Sequence, residues 1–265
     1  MTQDLREIWF SNQGVRLFAV ESGHGRPIIL LHGGLANHLA CRLFAAPLAE
    51  RFRLITPDLR GAGRSHYAGA LGWRELADDI AALMRHLGIE RAVIGGVSFG
   101  TGVAVRVALD HPAIVAGLVL LSPVYPGADV GLAPDVQAAM TTMNVMGSRV
   151  VSEGIQALFP LFDALPPAIR DRGRTVISTF DPASVAATTR FMASGQQPFA
   201  SARVLESIEA PTLLVPGTDP THPAEVAELY RRHLKRSTVR EITATVWTGG
   251  AEFAAAIAEF TDQLE

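Results

Sequence analysis

The segment Gly96-Val97-Ser98-Phe99-Gly100 constrains this chain more than any other. It follows the apolar run Ala92-Val93-Ile94-Gly95 and precedes Thr101-Gly102-Val103-Ala104-Val105, so it reads as a sharp strand-to-helix turn with a serine at its apex. Small residues on either side of the serine are needed because side chains there would crowd a strained backbone. A helix running to about Asp110 and a further strand at 117–121 complete a unit of parallel sheet. Ligands of such sheets gather at the carboxyl ends of the strands, where Ser98 stands.

The flanking sequence repeats this alternation. Residues 7–10 and 15–21 read as short strands joined by Asn12-Gln13-Gly14, a tight hairpin turn. The continuous apolar run 27–31 has the character of a strand buried on both faces. A helix at 39–51, a strand at 52–57, a helix at 73–87 and a strand at 92–97 follow. Leu76, Ile80, Leu83, Met84 and Leu87 give the second helix its apolar face. From 123 to 209 the pattern changes to helical segments broken by prolines, as in an inserted lid. The sheet then resumes at 211–216, followed by a helix at 223–234, a final strand at 239–247 and a closing helix at 251–264.

Composition narrows the class. With 265 residues, 48% of them hydrophobic and 18% charged, the chain has ample material for one large core. The net charge of −3 comes from mixed signs without a run of five like charges, so no nucleic-acid footprint is present. Arg231, Arg232, Lys235 and Arg236 read as the solvated end of one helix. Cys41 is the only cysteine, which excludes an internal disulfide and any multi-cysteine metal site. The first residues lack the basic start and apolar core of a secretory signal. The longest apolar stretch is about half of the ~20 residues that span a bilayer. These features lead us to expect a cytoplasmic monomer or homodimer that acts on a small molecule without cofactor, metal, nucleic acid or membrane.

In their order along the chain, four landmarks resemble the α/β-hydrolase family. His32-Gly33-Gly34 is similar to its oxyanion-hole loop, and Asp58-Leu59-Arg60-Gly61-Ala62-Gly63-Arg64-Ser65 to its turn after the fourth strand. The serine elbow follows, and residues 211–219 are similar to the late strand and loop carrying the triad acid. The resemblance implies an α/β fold with a mostly parallel eight-stranded sheet, a core at 1–122 and 210–265, and a helical lid at 123–209. It further implies Ser98 as nucleophile, Asp219 as acid, backbone N–H groups of Gly34 and Phe99 as oxyanion donors, and His32 as a buttress of its loop.

One landmark is missing. After the last strand the family usually presents Gly-x-His and an aromatic residue, whereas this chain reads Thr248-Gly249-Gly250-Ala251-Glu252-Phe253, with Glu252 where histidine is expected. Histidine exchanges the serine proton near neutral pH, a task to which a carboxylate of pKa about 4.3 is poorly matched. Either Glu252 faces Asp219 and the two carboxylates share a proton, or Glu252 points to solvent and the site is degenerate. His222 is an alternative base, though its place before Pro223 better suits capping or packing at a helix start. His24, His38, His66, His86, His111 and His233 have weaker claims.

Met140, Met143 and Met146, together with Phe159, Phe162, Phe180, Phe191, Met192 and Phe199, give the lid an apolar underside suited to its own packing and to a small or medium apolar ligand. Three functions stay open at this level. The first is an esterase or lactonase with a non-standard triad; the second is a lyase, isomerase or cyclase; the third is a ligand-binding protein without turnover.

Overall fold

The computed structural model describes residues 5–163, 165–246 and 248–264. Strands β1 (Arg6–Asn12) and β2 (Val15–Ser22) form the opening hairpin. Its turn residues Gln13 and Gly14 have φ of 49° and 76°, positive as a type I′ turn requires. Next come β3 (Pro27–Leu31), β4 (Arg53–Pro57), β5 (Ala92–Val97), β6 (Val115–Leu121), β7 (Thr212–Val215) and β8 (Ser237–Val239). The eight strands form one sheet in the order β1-β2-β4-β3-β5-β6-β7-β8. Pairings from β4 through β8 are parallel, while β2 joins both neighbours antiparallel.

The apolar runs are unbroken because both faces are covered. Ile29, Leu31, Ile94, Leu118 and Leu120 pack beneath α2 (Trp73–His86), α3 (Phe99–Asp110) and α7 (Ala224–His233). Their alternates Ile28, Leu30, Val93, Val119 and Leu121 pack beneath α1 (His38–Ala45) and α8 (Gly250–Asp262). The strand period of two thus divides each run between two cores.

Between β6 and β7 the described residues form helices only: α4 (Pro134–Glu153), a 3₁₀ segment Ile155–Phe162, α5 (Pro167–Ile177), α6 (Pro182–Ala193) and a second 3₁₀ segment Ala202–Ser207. Pro134, Pro167 and Pro182 each open a helix, where a missing N–H costs nothing and the fixed φ is already helical. Val136, Met140, Phe191 and Met192 join the core of the sheet, while Val150, Leu158, Ile177, Phe180 and Val185 form a separate outer core. Helix α6 is also hydrogen bonded to the main body: Thr188 Oγ1 donates to the Gly61 carbonyl at 2.9 Å, and Ser184 Oγ accepts from Tyr67 N at 2.9 Å.

Two boundaries differ from expectation. The predicted helix 39–51 ends at Ala45 and continues as a 3₁₀ turn through Glu50, because Pro47 has no N–H to donate. The predicted final strand 239–247 ends at Val239. That residue pairs with Leu214, and β7 stops one residue later, so the chain beyond runs out of a pairing partner. Trp247 lies outside the described residues.

Candidate active site

Ser98 occupies the turn between β5 and α3 with φ 51° and ψ −115°, a conformation that a side chain adopts only under strain. Its neighbours explain how the turn closes. A Cβ on Gly96 would lie 2.2 Å from the carbonyl carbon of Gly100, and one on Gly100 would lie 2.5 Å from the Leu31 carbonyl oxygen. The elbow backbone is fixed by bonds from Ser98 N to the Leu121 carbonyl at 3.0 Å and from Thr101 N to the Ser98 carbonyl at 2.9 Å. Leu35 and Ser122, on the loops flanking the site, also have positive φ, 49° and 52°. Backbone strain therefore collects around the mouth of the sheet.

Ser98 opens into a cavity of about 280 Å³ at the carboxyl end of the strands. Gly33 and Gly34 line it from the β3 loop, Met140 and Met143 from α4, Met192 from α6, and Asp219 and His222 from the loop after β7. The end of the Met192 side chain lies over Gly34, where a Cβ would meet Met192 Cε at 2.3 Å, so a larger residue would require that side chain to move. Phe99 opens α3; its buried ring packs against Trp73 and Phe191, so only its backbone N–H is available at the elbow. Met146 does not line the cavity and packs with the outer core instead.

Asp219, Thr221 and His222 form one tight structure. His222 N donates to the Asp219 carbonyl at 2.9 Å, closing a turn over Asp219-Pro220-Thr221-His222. Asp219 Oδ1 accepts from Thr221 N at 2.9 Å and from Thr221 Oγ1 at 2.6 Å. His222 Nδ1 lies 3.1 Å from both Asp219 carboxylate oxygens. A carboxylate can only accept, so Nδ1 carries a proton, which leaves Nε2 as the acceptor nitrogen of the neutral ring. Partial burial pushes the Asp219 carboxyl up, but the Thr221 hydrogen bonds and the adjacent His222 outweigh it and leave it below the ordinary carboxylate range. A Cβ on Gly217 would meet the His222 carbonyl oxygen at 2.0 Å, so glycine there lets the loop fold against itself.

Glu252 is placed elsewhere. The expectation that it faces Asp219 is not met: its side chain is exposed on the first turn of α8 and does not line the cavity. The reason is local. Helix α8 begins at Gly250, Glu252 N bonds to the Gly249 carbonyl, and the next residue, Phe253, takes the inward position against Phe44. Residues 100° apart on a helix cannot share that direction.

The other histidines fall outside the cavity, except His32. Its Nε2 accepts from Leu59 N at 3.0 Å, so Nδ1 donates to the Gly33 carbonyl at 2.8 Å, and the buried ring ties the β3 loop to the β4 turn. His38 bonds through Nδ1 to buried Asp58 at 2.8 Å. Asp58 also accepts from His38 N and Arg64 N, which holds the glycine-rich turn internally. Cys41 lines the cavity wall, but burial, with the Asp58 charge, pushes its thiol far up and leaves it un-ionised. Among the described residues no group of His, Cys, Asp and Glu is arranged to hold a metal ion, and no helix is long and apolar enough to cross a membrane.

Burial of His32 has a consequence for stability. It pulls the imidazole pKa below its ordinary value, against the opposing pull of Asp58 and the Gly33 carbonyl. The unfolded chain then binds the proton more readily than the folded one. This stabilisation is complete above the unfolded value of about 6.5 and is lost as pH falls toward the lower folded value. The urea midpoint is expected to fall between about pH 7.5 and pH 5.5, and His32→Gln to flatten that fall. An equally steep dependence in the variant would remove His32 from the explanation.

The geometry defines a hydrolase-like architecture, and the comparisons agree. The profile of the alpha/beta hydrolase fold family matches residues 26–164. The match covers more than half of the chain, which belongs to this family.

Over 119 residues the chain is 39% identical to the AB hydrolase superfamily protein YisY of Bacillus subtilis (strain 168), a match covering 44% of each protein. The chain spans about half the length of the curated relatives it matches first. Solved structures align over nearly all of it. A thermophilic esterase from Thermogutta terrifontis has a TM-score of 0.80 at 26% identity, covering 97% of this chain and 98% of that one. Est816, described as an N-acyl homoserine lactone degrading enzyme, has a TM-score of 0.75 at 25% identity, covering 96% and 100%.

Proposed function

We propose that the protein is a cofactor-independent serine hydrolase of small or medium, mostly apolar esters or lactones, with Ser98 as nucleophile, His222 as general base and Asp219 as its orienting acid. The observation that carries this reading is the presence of Ser98 and an Asp219-bound His222 in the walls of one cavity. The exposed place of Glu252 favours His222 over the shared-carboxylate alternative.

In this mechanism the Ser98 hydroxyl gives its proton to His222 Nε2 as its oxygen attacks the substrate carbonyl. Negative charge develops on the carbonyl oxygen and is met by the N–H groups of Gly34 and Phe99, each worth roughly 3–4 kcal/mol in such sites. The C–O bond breaks as His222 returns the proton to the leaving oxygen. Water, deprotonated by the same histidine, then releases the acyl group from Ser98. Asp219 keeps the imidazole in the required tautomer throughout. The esterase and lactone-degrading structural neighbours support this substrate class.

The test is labelling with a fluorophosphonate, read as a mass shift on the peptide bearing Ser98, alongside hydrolysis of p-nitrophenyl acetate. Both signals are expected, and Glu252→Gln should leave them unchanged. Absence of labelling in the folded protein would overturn the reading, and dependence on Glu252 would overturn the assigned base.

A further inference from the structure

A second cavity, of about 180 Å³, adjoins the Ser98 chamber and shares Gly34, Ala36, Ala40 and Met143 with it. Its remaining walls come from Leu35, α1, the first 3₁₀ segment of the lid, Leu165 and α5, and all of them are apolar or glycine apart from Arg172. Leu43 and Leu165, which are 38% and 39% exposed, stand on its walls and open toward solvent. Met143 thus lines both the inner chamber at Ser98 and an outer apolar branch.

We infer that this branch is the binding site for the straight acyl chain of a medium-chain ester, an inference that rests on the serine hydrolase reading above. The direction follows from the chemistry. The leaving oxygen must receive its proton from His222, so the alcohol part of the substrate lies on the side of Asp219, Thr221 and His222. None of these residues lines the branch, which meets the chamber at Gly34, Ala36, Ala40 and Met143. What extends into it is therefore the acyl part.

The walls suit a methylene chain. Each methylene buried there contributes about 0.8 kcal/mol, or roughly fourfold, if it is fully removed from water. Packing within the lid shapes the wall: a Cβ on Gly173 would lie 2.5 Å from the Phe162 ring, so glycine lets that ring pack closely against α5 where both line the branch. Val176, one turn further along α5, faces the same space.

The experiment compares p-nitrophenyl acetate with p-nitrophenyl octanoate in the wild type, Val176→Trp and Met143→Ala. The acetate needs only the inner chamber and reads the serine hydrolase mechanism; the octanoate-to-acetate ratio of kcat/KM reads the branch. We expect a wild-type ratio of at least about tenfold. It should collapse in Val176→Trp with acetate hydrolysis kept, and be maintained or increased in Met143→Ala. Acetate hydrolysis with a ratio near one, or a ratio that Val176→Trp leaves untouched, would overturn the branch. If neither ester turns over, the mechanism fails, and calorimetric titration with octanoate decides the branch separately. Binding that Val176→Trp abolishes sustains it, and no binding of octanoate refutes it.

Discussion

Exchanging Ser98 for glycine is expected to remove turnover by roughly 10⁶-fold, the scale on which serine hydrolases lose activity with their nucleophile. The same change should make the fold more stable by about 1 kcal/mol. Both effects come from one residue. Its φ of 51° and ψ of −115° cost of order 1–3 kcal/mol for a residue bearing a Cβ, and glycine is free of that cost. Glycine's greater freedom in the unfolded chain takes back about 0.5–1 kcal/mol. Ser98→Ala separates the two effects, because alanine loses the hydroxyl but keeps the Cβ. Urea melts of the three proteins, with p-nitrophenyl acetate rates beside them, read the result. A glycine variant less stable than the alanine variant would show that the strain at the elbow is smaller than glycine's entropic cost and overturn the expected gain.

Removing the proposed base should cost less than removing the proposed nucleophile. For His222→Ala we expect a fall in kcat of about 10²–10⁴-fold, the usual contribution of general acid–base catalysis. The pH profile provides the discriminating readout. In the wild type kcat/KM should rise with pH to a plateau, as a reaction using a general base does, and in the variant that rising limb should vanish. Asp219→Asn should also slow the reaction, because an amide can turn its N–H toward Nδ1 and favour the unproductive tautomer. Retention of both rate and limb in His222→Ala would remove this residue from the mechanism.

Much of this arrangement can be read in the sequence, and the exceptions have local causes. The elbow is legible because its glycines are required by contacts shorter than any side chain permits. The buried strands are legible because both faces are covered, and the helical segment between β6 and β7 because prolines start three of its helices. The end of β8 is not legible: Val239, Ile242, Ala244 and Val246 keep the look of a buried segment after the neighbouring strand has ended. Glu252 misleads for a different reason. Position after Gly249-Gly250 implies a loop, but α8 begins at once and turns the side chain outward. The pairing of His222 with Asp219 did carry a signal. Aspartate followed by proline is the signature of a type I turn, which brings its first and fourth residues together. Asp219-Pro220-Thr221-His222 closes in that way.

The proposed acid and base share one four-residue turn, so the mutual alignment of Asp219 and His222 is a property of local chain folding and not of the domain as a whole. Neighbouring strands lie about 4.8 Å apart, and β6 alone separates β5 from β7, which sets the elbow and this turn roughly 10 Å from each other along the sheet. The catalytic geometry then reduces to the placement of two prefabricated pieces, each rigid in itself. Distant damage to the sheet or lid would leave the histidine tautomer intact and act only on the gap between the pieces. Such variants would share the wild-type pH profile at a lower plateau, a kinetic fingerprint distinct from any change within the turn.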